Sequence, residues 1–219
     1  IHNVAVDTDQ TAAAVISRGD KRIIALFDQS GSQVRLMDTG QYSPAFVCFA
    51  PDHSIWVTGT QLQPNLSIPP DSFVLRHFSR DGKQLGAFLP RSSFENSLNP
   101  VEAVQGLSGL RIANGRIGVL VNHAVAGAKP LWVETDLNGK ELGRWRVDLD
   151  GNPAAFTPGG NVYARGVDGV SVLDRGTGKW SLVSPPVPSD GILIGSDGEA
   201  LVFMTRGAPE LRWLAVDRN

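Results

Sequence analysis

A glycine-containing turn between two apolar segments recurs along the chain, and it constrains the fold more than any other feature. Each copy has an Asp or Ser that opens a short polar turn with Gly inside it. Glycine adopts the positive φ that a hairpin turn requires, and an Asp or Asn beside it bonds its own backbone. Each copy is therefore predicted to be a β-hairpin. The copies are ALFDQSGSQVRLMDT (25–39), RHFSRDGKQLGAFLP (76–90), VETDLNGKELGRWRV (133–147) and SVLDRGTGKWSLVSP (171–185).

A second kind of hairpin alternates with the first. It places a short turn between two apolar, β-branched runs, at residues 4–15, 48–59, 110–121, 155–166 and 193–204. The glycines of the first kind, Gly31, Gly82, Gly139 and Gly178, recur at intervals of roughly 40 to 57 residues, which is typical of four-stranded propeller blades. The second kind of hairpin then supplies strands a and b of a blade, and the first kind supplies strands c and d. We predict an all-β fold, a β-propeller of four-stranded antiparallel blades.

The spacing predicts a single propeller domain over residues 1–219 with about five blades. The last blade ends soon after its third strand, so we expect it to lack its outer strand within this chain. Because the sequence starts directly at a strand a, we expect that upstream residues are absent from it. A six-bladed ring with part missing is the alternative. The predicted blades are residues 1–40, 41–91, 100–148, 149–187 and 188–219.

Composition excludes several classes of protein. The formal net charge is −2, and no concentrated basic surface is visible, so nucleic acid is not an expected partner. No stretch approaches the ~20 apolar residues of a membrane span. The single cysteine, Cys48, has apolar neighbours and is interpreted as a core residue. We expect a secreted or periplasmic location, and a cytoplasmic one stays open.

Three strings resemble the repeats of bacterial NHL-type and related six-bladed β-propeller proteins: FAPDHSIWV, FSRDGKQLGAF and DLNGKELGRW. The resemblance implies a propeller with a central channel and ligands at one face. It does not imply a reaction, because this fold carries many unrelated functions. In the related lactonase-type propellers, a divalent cation is held by Glu, Asn and Asp from separate blades. The sequence offers many such residues and does not select a set.

Motifs for chemistry are weak. The histidines His2, His53, His77 and His123 lack metal-ligand spacing, so no metal site is predicted. VDLDGNP (147–153) departs from a calcium loop and is interpreted as a connection between blades. The tripeptide RGD (18–20) falls between strands b and c and is interpreted as a chance match. No nucleophilic serine motif is present. The five tryptophans are interpreted as packing between blades.

Three long loops mark the expected site: residues 60–72, 90–103 and 122–130. Strand order places all three on the face formed by the b–c and d–a connections, in neighbouring blades, and long loops in a compact domain are often functional. Phe94 is their only large aromatic residue and the best candidate anchor. The candidate binding residues are Gln61, Gln63, Asn65, Asp71, Arg91, Phe94, Glu95, Asn96, Asn122, His123 and Lys129.

Two functions remain. The first is a non-enzymatic binding module for a protein, a glycan or a small molecule, with no cofactor, and it is the one we favour. The alternative is a metal-dependent enzyme of the lactonase or lyase type, with a divalent cation such as Ca²⁺ in the channel. Carboxylates that converge on the axis would favour the enzyme, and an apolar or covered channel would favour binding.

Overall fold

The structure is a computed structural model and it is all-β, as predicted. Its described residues are 1–65, 67–69, 71–94, 109–121, 129–147, 153–166, 168–184, 191–198, 200–205 and 210–215. Within them lie nineteen strands and one 3₁₀ turn, Arg91–Ser93. None of these residues belongs to a helix long and apolar enough to cross a bilayer.

Five antiparallel sheets follow one another along the chain, each with its strands in sequence order. The first contains β1 (Asn3–Val6), β2 (Ala12–Arg18), β3 (Lys21–Phe27) and β4 (Gln33–Met37). The second contains β5 (Tyr42–Phe49), β6 (Ile55–Gln61), β7 (Phe73–Phe78) and β8 (Gln84–Pro90). The third contains β9 (Leu110–Ala113), β10 (Arg116–Val121), β11 (Leu131–Asp136) and β12 (Glu141–Arg146).

The last two sheets complete the order. The fourth contains β13 (Pro153–Phe156), β14 (Val162–Arg165), β15 (Val170–Asp174) and β16 (Lys179–Ser184). The fifth contains β17 (Gly191–Asp197), β18 (Ala200–Thr205) and β19 (Leu211–Ala215). In the part of the chain that the structure describes, the fifth sheet has three strands.

The sheets are arranged as propeller blades. The first strands of successive sheets contact each other, β1 with β5, β5 with β9, β9 with β13 and β13 with β17. These strands therefore surround a common axis, and strands b, c and d extend outward. Because strand side chains alternate between the two sheet faces, each blade can pack against both neighbours. The predicted β-propeller of about five blades is confirmed.

An apolar cluster fills each of the four interfaces between successive blades. Val15, Ile24 and Tyr42 belong to the first interface, and Trp56, Leu75 and Ile117 belong to the second. Trp132 and Phe156 pack in the third, and Tyr163 and Leu193 pack in the fourth. Cys48 packs against the second cluster, and burial raises the pKa of its thiol, as expected for a core residue. The fold is therefore held by contacts between neighbouring blades.

The repeated hairpin turns have the predicted geometry. Gly31, Gly82, Gly139 and Gly178 have φ of 78°, 91°, 81° and 71°. The Asp136 carboxylate accepts hydrogen bonds from the amides of residues 138 and 140, at 2.9 Å each. The turn glycine therefore supplies the left-handed conformation, and the acid closes the turn.

The turn glycine also receives a side chain from the preceding blade. A Cβ on Gly139 would lie 2.1 Å from the ring of Phe88, which belongs to β8. A Cβ on Gly82 would lie 3.5 Å from Met37, and one on Gly178 would lie 3.3 Å from Trp145. Each outer strand thus docks a large side chain on the c–d turn of the next blade. The recurrent glycine serves both the turn and the joint between blades.

The turn aspartates predict how stability depends on pH. The Ser30 hydroxyl holds the pKa of Asp28 below its usual value, and the Thr177 hydroxyl does the same for Asp174. A carboxyl whose pKa is lower in the folded chain stabilises it above the unfolded pKa, about 3.9, and this stabilisation is lost as pH falls through the folded pKa. We expect the unfolding free energy, measured by urea denaturation, to fall below about pH 4. The double variant Asp28→Asn, Asp174→Asn should show a shallower fall, and an unchanged slope would contradict the assignment.

Candidate functional site

The structure describes seven of the eleven predicted site residues. Glu95, Asn96, Asn122 and His123 lie outside the described residues. Asp71 and Lys129 are exposed, and Phe94 is buried. Gln61, Gln63, Asn65 and Arg91 lie at the ends of β6 and β8 or in the loop after β6. Whether this surface binds a partner stays a prediction.

Two of the three long loops meet at a cleft. The Arg91 amide donates to the Ser72 carbonyl oxygen at 2.8 Å, which ties the segment after β8 to the end of the β6–β7 loop. The cleft contains about 190 Å³ of empty space, including its open mouth. It thus brings Gln61 and Arg91 to one place. Its lining residues are Gly59, Thr60, Gln61, Ile68, Ser72, Phe73, Val74 and Arg91.

Local backbone geometry forms the two walls of this cleft. Gly59 lies opposite Pro44 at a register shift between β5 and β6, and a Cβ there would meet the Ser43 carbonyl oxygen at 2.2 Å. The close approach of the two strands therefore requires glycine. On the other wall, Pro90 ends β8 and a 3₁₀ turn begins at Arg91, closed by the Phe94 amide donating to the Arg91 carbonyl oxygen. The hydrogen bond of this turn fixes the backbone that carries the Arg91 side chain.

Two residues that line the cleft each have a buried polar atom without a hydrogen-bond partner: Thr60 Oγ1 and Arg91 Nη1. Thr60 is only 2% exposed. Buried polar groups are nearly always hydrogen-bonded, so each exception needs an explanation. Sequence analysis identified Arg91 but missed Thr60, because a threonine at the end of a strand has no distinguishing pattern.

Gln61 is held by a neighbouring arginine. Arg76 Nη2 donates to Gln61 Oε1 at 2.5 Å, and the Arg76 guanidinium lies 4.3 Å from the centre of the Tyr42 ring. Burial lowers the pKa of Arg76 and raises that of Tyr42. The Gln61 side chain is therefore fixed by the fold at the edge of the cleft.

The β6–β7 loop stabilises itself beyond the cleft. The Ser67 hydroxyl donates to Gln63 Oε1 at 2.8 Å and to Asn65 Oδ1 at 2.6 Å. The Ser67 amide also donates to Asn65 Oδ1, at 3.1 Å. Gln63 and Asn65 thus maintain the shape of the loop in this structure, and neither lines the cleft.

Phe94 is a core residue rather than an exposed anchor. It is 4% exposed and belongs to the apolar cluster between the second and third blades. The Arg144 guanidinium lies 4.8 Å from the centre of its ring. The 3₁₀ turn after β8 directs the side chain inward, and sequence pattern alone does not predict that direction.

Among the described residues, one group could supply three metal ligands: Asp7, Asp9 and His53. His53 Nδ1 lies 2.8 Å from Asp7 Oδ2, and Arg80 Nη1 lies 2.7 Å from Asp9 Oδ2. The guanidinium already supplies positive charge to these carboxylates, so the group does not fit a cation site. It lies at the a–b turns, on the face opposite the cleft.

The described histidines do not form a joint metal site. His77 stacks on Trp56 with ring centres 4.2 Å apart, and its Nε2 lies 2.7 Å from the Ser54 hydroxyl. Burial lowers the pKa of His77. His2 Nε2 lies 2.8 Å from the Ser17 hydroxyl in the first blade. Both side chains therefore have structural partners.

Comparisons with known proteins establish the fold alone. No family model matches the sequence, and no curated protein matches it. Among solved structures, a gluconolactonase from Xanthomonas campestris is similar, with a TM-score of 0.56 and 20% identity, over 98% of this chain and 71% of that one. A chain of a mitotic checkpoint complex is similar over 95% of this chain and 61% of that one, with a TM-score of 0.54 and 11% identity. The chain is thus a β-propeller, and likeness at this identity transfers no activity.

Proposed function

We propose that the protein is a β-propeller binding module whose site is the cleft between the β6–β7 loop and the 3₁₀ turn after β8. One observation carries the proposal: two residues that line the same cleft, Arg91 and Thr60, each have a buried donor atom without a hydrogen-bond partner, Nη1 and Oγ1. A ligand with acceptor atoms would satisfy both.

Arg91 differs from Arg116 and Arg175, two other partly buried arginines, because it has no acidic partner in the part of the chain that the structure describes. Arg116 and Arg175 pair with Glu134 at 3.0 and 2.7 Å. Arg91 forms no ion pair or side-chain hydrogen bond among the described residues, although one of its nitrogens is buried. A buried, unpaired charged donor costs more free energy than a neutral one. A ligand with an acceptor atom would offset this free-energy cost when it binds.

The walls of the cleft are also fixed before any ligand binds. Gly59 and Thr60 belong to a paired strand, and the opposite wall is closed by the backbone hydrogen bond between Arg91 and Ser72. Prolines 64 and 69 restrict the intervening loop. Preorganised walls lower the ordering cost of binding.

Lactone hydrolysis is the second candidate, because the fold resembles that of a gluconolactonase. Among the described residues, the one group of three acidic or histidine side chains close enough to share an ion, Asp7, Asp9 and His53, is already paired with Arg80. The test is hydrolysis of gluconolactone by the purified protein with added Ca²⁺, before and after chelation. Chelator-sensitive turnover would make the protein an enzyme, and its absence would leave the binding module as the better proposal.

Binding at the cleft can be tested with a set of small polar fragments of both charges and of none. Chemical shifts of the ¹⁵N-labelled protein are expected to move at residues 59–61, 72–74 and 91 with at least one fragment. Arg91→Ala should abolish these shifts. Arg18→Ala is the matched control, because Arg18 is an exposed arginine at the end of β2 in the first blade. No response at these residues, or an equal loss in both variants, would overturn the proposal.

A further inference from the structure

We infer that the group recognised in this cleft is a carboxylate, carried by a small organic acid or by the C-terminus of a peptide. This inference rests on the binding function proposed above for the same cleft. It identifies the chemistry of the ligand, which a general binding function leaves open.

The charge of the cleft favours an anion. Arg91 is the only ionisable residue among its lining residues. Asp71 precedes Ser72 in the chain but is exposed and forms no ion pair with Arg91. A ligand without charge would leave the guanidinium uncompensated at a partly buried position, so the cleft selects for a negative group.

The donors of the cleft favour a carboxylate over other anions. A guanidinium presents parallel N–H groups that match the two oxygens of a carboxylate, and the buried Thr60 hydroxyl supplies one more donor. A phosphate dianion would place two charges against the one cation that lines the cleft. The uncharged donors and one arginine therefore match a singly charged, planar acceptor best.

The walls of the cleft agree with this chemistry. Ile68, Phe73 and Val74 form apolar walls, and removal of water strengthens an ion pair.

The experiment compares probes that share a shape and differ in charge. Acetate, acetamide and inorganic phosphate are titrated into the ¹⁵N-labelled protein, followed by a short peptide with a free or an amidated C-terminus. Acetate should shift the signals of Arg91 Nε–H and of the amides of residues 59–61 and 72–74. The Kd obtained from these shifts should be at least about tenfold lower for acetate than for acetamide. The free peptide binding more tightly than acetate would assign the source to a protein partner, and the reverse would assign it to a small acid.

Variants separate recognition from folding. Thr60→Val keeps the shape and should weaken acetate binding several-fold, Arg91→Lys keeps the charge and should retain part of it, and Arg91→Ala should lose it. Arg18→Ala should behave as the parent protein. Thermal denaturation of each variant verifies its fold.

The outcomes distinguish two failures. Acetamide or phosphate binding at these residues as tightly as acetate, with loss in Arg91→Ala, would overturn the carboxylate and keep the binding cleft. No response of the cleft to any probe or fragment would overturn both. Acetate binding that persists in Arg91→Ala would overturn the role of Arg91.

Discussion

Replacing Glu134 by alanine is expected to lower the free energy of unfolding by about 3 kcal/mol, because it removes a fully buried carboxylate from two partly buried arginines, whose remaining exposure lets water offset part of the loss. Glu134 lies on β11 and is fully buried. Its carboxylate accepts from Arg116 Nη1 at 3.0 Å and from Arg175 Nη2 at 2.7 Å. Trp132 Nε1 donates to it at 2.9 Å. Since Arg175 belongs to the next blade, this carboxylate joins the third and fourth blades.

Glu141→Ala is the matched control for this prediction. Glu141 also pairs with an arginine through two hydrogen bonds of 2.7 Å, but this pair lies at the surface. Exposed pairs contribute at most about 1 kcal/mol. Urea denaturation of both variants measures the difference, and Glu134→Gln tests the loss of charge at nearly constant volume. Equal effects of Glu134→Ala and Glu141→Ala would contradict the role of burial.

Replacing Gly139 by alanine is expected to cost about 2 to 4 kcal/mol of unfolding free energy, from two sources. Its φ of 81° is strained for a residue with a side chain. The added methyl would also approach the Phe88 ring to 2.1 Å and force the joint between the second and third blades apart. The measurement is again urea denaturation, with circular dichroism as the signal.

Gly31→Ala separates the two sources. Gly31 has nearly the same φ, 78°, in the equivalent turn, but no atom lies within 4 Å of the added Cβ. It should therefore cost only the backbone strain, about 1 kcal/mol. Phe88→Leu should recover part of the loss caused by Gly139→Ala. Equal destabilisation of the two glycine variants would contradict this explanation, because it would mean that the packing of Phe88 on the turn does not require glycine at position 139.

The sequence by itself determined the hairpins, their alternation and the strands of each blade. The Asp or Ser before each turn, the glycine inside it and the alternating apolar residues act over a few neighbouring positions, so they can be read directly. The same local signals placed Cys48 among apolar neighbours, and it packs against the apolar cluster between the second and third blades.

Only the tertiary structure decided how the blades join and which polar groups meet. Glu134 reaches Arg175 and Phe88 reaches Gly139 across blade boundaries, 41 and 51 positions along the chain. Thr60 and Arg91 come together at the cleft, while Phe94, which the sequence favoured as an exposed anchor, turns into the core. Such contacts depend on the orientation of each sheet relative to the next and on the direction of a 3₁₀ turn. No local pattern encodes these, since they arise only when whole sheets pack together.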